Sequence, residues 1–246
     1  MKILVTGYKG MIGSKIYNYL QNLNKYYVKG IDVFDNTGDI CTFKTFESYD
    51  IVIHCAALAS VTESIKHPIR YYNVNVLGTY NLLNQCPNSK FIFMSSSAIY
   101  GEGLNHKEDG QLNPISPYAE NKIDGEFAIK KLAKDYTILR LANIYGGKKG
   151  ERGVYQIFEE EKTLPIYGDG SAARDYFHVD NLCEVIYKSF NISGIFNIGS
   201  GKIKTVLDIA KEFNKPIQYL PARLGEIKII SLDITKAKQS GLLWIK

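Results

Sequence analysis

Short, largely apolar runs alternate along this chain with longer stretches whose apolar residues recur every three or four positions. Ile3-Leu4-Val5, Ile51-Val52-Ile53, Phe91-Ile92-Phe93-Met94 and Thr137-Ile138-Leu139-Arg140-Leu141 are the clearest runs, and such unbroken segments suit strands covered on both faces. Tyr27 to Ile31 and Gly194 to Ile198 read as two more. A helical period takes over after the first run to about Asn22, across Val74 to Gln85, from Tyr118 onward, and across Val179 to Phe190 and Val206 to Phe213. Strands alternating with helices predict an α/β fold built on a doubly wound parallel sheet. Beyond Tyr145 the rhythm breaks. Gly146 to Gly153 is a Gly/Lys-rich loop, residues 154–162 look helical, and Gly168-Asp169-Gly170-Ser171 is a turn. This part predicts a smaller lobe beside the sheet.

The turn after the first strand carries the first chemical signal. Thr6-Gly7-Tyr8-Lys9-Gly10-Met11-Ile12-Gly13 follows the apolar run directly. Glycines there let the backbone approach a pyrophosphate, and the N-terminus of the next helix supplies free N–H groups and positive potential. Gly7, Gly10, Met11, Ile12 and Gly13 are therefore expected to hold a dinucleotide. Asp32 closes the second strand 19 residues after Gly13. A carboxylate there accepts the hydroxyls of an adenosine ribose and repels a 2′-phosphate. Val33 and Phe34 offer no offsetting cation, which predicts NAD rather than NADP.

Asp39 comes only seven positions after Asp32, too soon for the ~10–12 residues of a strand–helix–strand crossover. The sheet edge beyond the second strand should shrink to a short extended stretch. A Rossmann domain is expected over residues 1–145 plus about 175–195. A small, shortened substrate lobe is expected over about 146–174 plus 196–246.

A second signal lies between residues 95 and 122. Tyr118 and Lys122 are four apart in Tyr118-Ala119-Glu120-Asn121-Lys122, so on a helix they share a face. Ser116 and Pro117 read as its N-cap and first position. A cationic Lys beside a phenol is expected to lower its pKa and make Tyr118 a usable base. With 18 Tyr and 25 Lys the spacing arises about twice by chance, and it occurs twice. Tyr145 to Lys149 runs through Gly146 and Gly147 and reads as loop. Context singles out Tyr118, because the run Ser95-Ser96-Ser97 lies upstream of it and the glycine loop opens the chain.

Composition narrows the rest. A net charge of +5 with interspersed signs argues against nucleic-acid binding and suits anionic small molecules. Cys41, Cys55, Cys86 and Cys183 are scattered without a Cys-x-x-Cys pair, so free thiols and no metal site are expected. No apolar run approaches the ~18 residues of a membrane span, and the chain enters a core-type strand at Lys2, so a cytoplasmic protein off the membrane is expected. The chain uses 25 Lys but only 5 Arg, so an Arg is expected where planar, bidentate contact matters.

Together these residues resemble the extended short-chain dehydrogenase/reductases, and within them the NAD-dependent nucleotide-sugar epimerase/dehydratase family. The resemblance runs through Thr6-Gly7-x-x-Gly10-x-x-Gly13, Gly38-Asp39-Ile40, His54-x-Ala56-Ala57 and Asn75-Val76-Leu77-Gly78-Thr79. It continues through Ser95-Ser96-Ser97, Tyr118-x-x-x-Lys122 and Arg140-x-x-Asn143-x-Tyr145-Gly146. It ends with Tyr167-Gly168-Asp169-Gly170, Arg174-Asp175-Tyr176-x-His178-Val179-Asp180 and Arg223-x-Gly225-Glu226.

The resemblance implies roles. Asp39 and Ile40 would hold the adenine, and Ala56, Ala57, Asn75 and Ser95 would line the cofactor cleft. Ser96, four before Tyr100, would be the catalytic hydroxyl beside Tyr118 and Lys122, with Lys122 also on the nicotinamide ribose. Ser96, Asn143, Tyr167, Arg174, Arg223 and Glu226 would meet a nucleotide-sugar, a UDP-sugar first, with the arginines on its diphosphate. Ile230, four after Glu226, would sit beside the sugar's C2 substituent.

The family's dehydratases carry Asp and Glu directly after the catalytic hydroxyl, where this chain has Ser97 and Ala98. That favours 4-epimerisation. A nucleotide-sugar reductase or dehydrogenase, or a non-catalytic nucleotide-binding regulator, are the alternatives. Leu58 and Ala59 replace polar residues often found near the cofactor diphosphate, and relatives usually continue for some tens of residues past Lys246. A homodimer is expected, through the helix at 75–86 and the Tyr118 helix, with Phe127, Ile129 and Leu132 offering apolar surface.

Overall fold

A computed structural model describes residues 1–147, 153–222 and 227–244. The apolar runs form a six-stranded parallel sheet from β1 (Lys2–Thr6), β2 (Tyr27–Ile31), β3 (Ile51–His54), β4 (Lys90–Ser96), β6 (Asp135–Leu141) and β10 (Gly194–Ile198). Its order is β10-β6-β4-β3-β1-β2. The chain reverses direction across the sheet between β1 and β3, the crevice where such sheets bind ligands.

Alternation along each strand explains the unbroken apolar runs. Ile3, Val5, Ile51, Ile53, Ile92, Met94 and Leu139 point into one core, under α1 (Met11–Asn22) and α7 (Val179–Lys188). Leu4, Val52, Phe91, Phe93 and Ile138 point into the other, under α4 (Gly78–Gln85) and α5 (Pro117–Leu132). Both faces are covered, so apolar residues fill successive positions, and the polar ones among them, such as His54, Arg140 and Asn197, are buried with hydrogen-bond partners.

The edge beyond β2 is reduced as its spacing requires. A single 3₁₀ turn, Val33–Asp35, and an irregular segment lead from β2 to β3. The stretch expected as one helix over Val74 to Gln85 is helical but opens with a wider π turn, Asn73–Leu77, before α4, and two short helices not read from the sequence, α2 (Val61–Lys66) and α3 (Pro68–Tyr72), precede it.

The remaining strands are short. β5 (Gly103–His106), β7 (Asn143–Tyr145), β9 (Ala173–His178), β11 (Ile203–Thr205) and β13 (Ile229–Leu232) form a second sheet at the carboxyl end of the first, in the order β11-β9-β13-β5 with β7 on β9. β8 (Leu164–Tyr167) pairs with β12 (Ile217–Leu220). Between them, α6 (Val154–Glu160) and α8 (Val206–Phe213) close a small separate core around Phe158, Leu164, Ile166 and Ile209. The short helix α9 (Thr235–Gln239) packs by β10. β10 runs to Ile198, past residue 195 where the lobes were expected to divide. Among the described residues no helix is long and apolar enough to cross a membrane.

Candidate active site

β1 delivers the chain into a glycine loop that tolerates no side chains at two places. A Cβ on Gly7, whose φ is +67°, would lie 2.7 Å from the Ala56 backbone, and one on Gly13 would lie 2.1 Å from the Gly7 carbonyl oxygen. α1 then starts just after Gly10 with no side-chain cap and no acidic residue in its first turn. Its free N–H groups and positive end face the crevice, which fits a pyrophosphate.

At the end of β2, Asp32 is buried, and each carboxylate oxygen accepts one backbone N–H: Lys9 at 2.9 Å and Phe34 at 3.0 Å. Each oxygen keeps lone-pair capacity for a ribose hydroxyl. Asp39 is exposed and accepts the Cys41 N–H at 2.9 Å, while Ile40 is buried against Gly78. These residues fit NAD.

A chain of hydrogen bonds fixes the floor of this site. Thr79 Oγ donates to the Asn75 carbonyl at 2.7 Å, so it accepts from His54 Nε2 at 2.9 Å. That leaves His54 Nδ1 to accept from Thr6 Oγ at 2.8 Å, and Thr6 accepts the Ala56 N–H at 3.2 Å. Every proton has one place to go only if His54 is neutral. Burial first, and the Lys122 charge second, push its pKa down to about 3. Asn75 spends its amide on the turn, accepting the Leu58 N–H at 2.8 Å and donating to the Leu58 carbonyl at 2.9 Å. Asn75, expected to line the cofactor cleft, thereby shapes the 56–58 turn.

α5 begins as the sequence indicated. Ser116 Oγ accepts the Ala119 N–H at 3.2 Å and Pro117 occupies the first turn. Gly125 lets the helix approach β4, because a Cβ there would lie 2.8 Å from the Phe93 ring. Lys122 therefore reaches the Met94 carbonyl, donating at 2.7 Å, with its Nζ 5.0 Å from the Phe93 ring centroid and 5.9 Å from that of Tyr118.

The electrostatics differ from the expectation that Lys122 lowers the phenol. Burial pushes the Tyr118 phenol above its ordinary value, and the Ser96 hydroxyl pulls it partly back. Burial also pushes Lys122 down to about 8, a displacement worth roughly 3 kcal/mol against its charged form. Because the folded value is depressed, the penalty is complete below about pH 8 and is relieved as pH rises toward the unfolded value. Lys122→Met should therefore abolish turnover yet raise the urea midpoint of the cofactor-free protein at pH 7.

Ser96 ends β4, and its Oγ accepts the Ala98 N–H at 3.2 Å. Ser95 turns away, donating to Glu126 at 2.7 Å in a buried contact. A cleft of about 470 Å³ joins Met11 and Ile12 to Ser95, Ser96, Tyr118, Asn143, Arg174 and Ile230. Arg174 reaches it from β9, with its guanidinium donating to the carbonyls of Ala173 at 2.9 Å, Lys228 at 3.1 Å and Ile227. Ile230 is buried on β13, in register with Arg174. Tyr167 ends β8 and is not among the residues lining this cleft. Arg223 and Glu226 lie outside the described residues.

Two residues at the ribose end escaped the sequence reading. Lys9 Nζ lies 3.3 Å from the Asp35 carboxylate, so a cation does stand near Asp32, supplied by the glycine loop rather than by residues 33 and 34. The spacing of Asp35 from Asp32 gave no hint of it.

A model of the NAD dependent epimerase/dehydratase family matches residues 3–199. A UDP-glucose 4-epimerase of Halalkalibacterium halodurans is 33% identical over 99% of this chain and 90% of its own length. A dTDP-D-glucose 4,6-dehydratase of Dictyostelium discoideum is 29% identical over 86% of this chain and 61% of its own. The solved structure of the Thermus thermophilus UDP-glucose 4-epimerase in complex with NAD matches with a TM-score of 0.91 at 28% identity, covering 99% of this chain and 94% of that one.

Proposed function

The chain belongs to the NAD-dependent epimerase/dehydratase family, and from that premise we propose that it is a nucleotide-sugar 4-epimerase acting on UDP-hexoses. One observation carries the choice of reaction. Among the described residues lining the cleft there is no Asp, Glu, His or Cys. Dehydration needs an acid for the leaving hydroxyl and a base for the C5 proton. Ser97 and Ala98, which line the cleft beside Ser96, can act as neither. Epimerisation needs one proton relay and a cofactor that takes a hydride and gives it back. The names of the relatives in H. halodurans and T. thermophilus support UDP and a hexose.

NAD, when bound, would supply the hydride acceptor for C4. Tyr118 takes the O4 proton, with Ser96 hydrogen-bonded to the same oxygen system. Lys122 would hold the nicotinamide ribose. The 4-keto sugar turns within the cleft, and Tyr118 returns the proton after reduction on the opposite face. Arg174 offers the diphosphate a cation, and Asn143 meets the sugar.

Purified protein incubated with UDP-glucose or UDP-galactose and no added cofactor should give the same mixture from either side by proton NMR. A 4-keto-6-deoxy product would establish dehydration instead. A net reduced product that requires NADH would establish the reductase.

The position of Ile230 at the cleft gives a specificity prediction. Isoleucine is smaller than an aromatic residue and larger than serine, so N-acetylated hexoses should be used weakly. Ile230→Ser should raise kcat/KM for UDP-N-acetylhexoses relative to UDP-hexoses. An unchanged ratio removes Ile230 as the gate.

We further propose a homodimer through α5 and the helical segment before it. Phe127 and Leu132 are exposed on α5, and Tyr72 and Leu77 are exposed on the helical segment packed against α5, whereas Ile129 faces the core and contributes nothing to that surface. Light scattering at micromolar concentration should report twice the chain mass.

A further inference from the structure

The ribose end of the cofactor site contains a charge arrangement that the family assignment does not require. Lys9 is the only charged residue between Thr6 and Gly13. Its backbone N–H donates to Asp32 at 2.9 Å, which fixes its Cα beside the ribose carboxylate. Its side chain lies with Nζ 4.7 Å from the Tyr8 ring centroid and 3.3 Å from Asp35 Oδ2. A cation at that place is what recognition of a 2′-phosphate calls for.

Asp35 is not a loose surface partner. Its Oδ1 accepts the Thr37 hydroxyl at 2.6 Å and the Thr37 N–H at 3.3 Å. Its Oδ2 accepts the Tyr8 hydroxyl and meets Lys9. Thr37 Oγ in turn accepts the Asp32 backbone N–H at 2.8 Å, so the Asp35 carboxylate is tied through Thr37 to the backbone of Asp32. Tyr8 is held in place because its ring packs on Gly30 of β2, where a Cβ would lie 2.5 Å from it. The bonds from Thr37 and Tyr8 keep the Asp35 carboxyl well below the usual carboxylate range, so it is ionised throughout neutral pH.

We propose that Asp35 is a cofactor-specificity residue: it sequesters Lys9, the one cation of the glycine loop, and so denies NADP its 2′-phosphate partner. Asp32 repels that phosphate directly, and Asp35 removes the group that would offset the repulsion. An exposed ion pair of this kind contributes little to stability, so substitutions here leave the fold intact and act on the ligand. Asn at 35 keeps its amide oxygen as the acceptor for Thr37 and turns its NH₂ to the Tyr8 hydroxyl oxygen, which can accept, while releasing Lys9.

The test is a competition on the intact protein. Wild type, Asp35→Asn, Lys9→Met and the double variant are each equilibrated with equal, saturating NAD and NADP. Bound nucleotide is then quantified by mass spectrometry after denaturation. Asp35→Asn is expected to lower the bound NAD-to-NADP ratio at least tenfold at low salt, with a smaller change at high ionic strength. Lys9→Met alone should leave the ratio unchanged or raise it, and the double variant should lose the gain. A change below threefold in Asp35→Asn overturns the proposal. So does a gain that survives in the double variant, because Asp35 would then act through its own charge and not through Lys9.

Discussion

Tyr118→Phe is expected to lower turnover at least ~10²-fold while leaving the melting temperature nearly unchanged. The substitution removes one oxygen, and that oxygen borders the cleft with Ser96 as its hydrogen-bonding neighbour. No donor or acceptor in either core is orphaned, so the usual penalty for a lost buried partner does not arise. Lys122 keeps its bond to the Met94 carbonyl, since that contact is independent of the phenol.

The loss in rate is large because, among the described residues lining the cleft, no Asp, Glu, His or Cys stands by to take the O4 proton in place of the phenol. Ser96→Ala should be damaging for two reasons. It removes the relay hydroxyl, and it removes the group that pulls the phenol's pKa down, so residual activity should shift to higher pH. Ser95→Ala should keep turnover near wild type and lose stability instead, because its hydroxyl serves Glu126. Steady-state kinetics with calorimetry separates the three. Equal loss of turnover at Ser95 and Ser96 would move the catalytic hydroxyl one residue back.

What could be read from the sequence follows physical rules. Strands buried on two faces appear as unbroken apolar runs, and their helices keep the helical period, so the six-stranded sheet was legible from Ile3 to Ile198. The Ser116-Pro117 start of α5 was legible because capping chemistry is local. The second sheet was not, since β5, β7, β11 and β13 are three or four residues long and too short to show any period. Lys9 and Asp35 meet only because the glycine loop folds back onto the end of β2. Ile129 and Phe127 are equally apolar in the sequence, and only the packing of α5 on β4 sends one inward and the other out. Glu126 is the extreme case. It reads as an ordinary helical glutamate, yet it is buried at the centre of the site's support.

Glu126→Gln should therefore destabilise the protein by roughly 3–5 kcal/mol. The Glu126 and Arg140 side chains are 1% and 3% exposed, with Arg140 Nη2 2.8 Å and Nε 2.9 Å from the two carboxylate oxygens. Arg140 Nη1 also donates to Tyr100 at 2.7 Å and the Glu108 carbonyl at 2.8 Å, and Tyr100 donates to Asn197 at 2.8 Å. One network thus ties α5 to β6, β10 and the turn after Ser96. Glutamine keeps the shape but leaves the guanidinium charge buried without a counter-charge. It also sets an NH₂ group against donors.

The pH dependence follows from the same groups. Burial alone would raise the Glu126 carboxyl, but the Arg140 bonds and charge, helped by Ser95 and Lys130, outweigh it and lower the pKa. Below the unfolded value of about 4.3 the unfolded chain binds the proton more readily, so this stabilisation is complete above that pH and is lost as pH falls through the folded value. Urea denaturation should show the gap between wild type and variant at pH 7 narrowing below about pH 4.3. Glu126→Leu with Arg140→Met should recover most of the loss, because no unpaired charge remains. A gap under about 1 kcal/mol at pH 7, or a double variant no better than Glu126→Gln, would show that the buried pair does not brace α5.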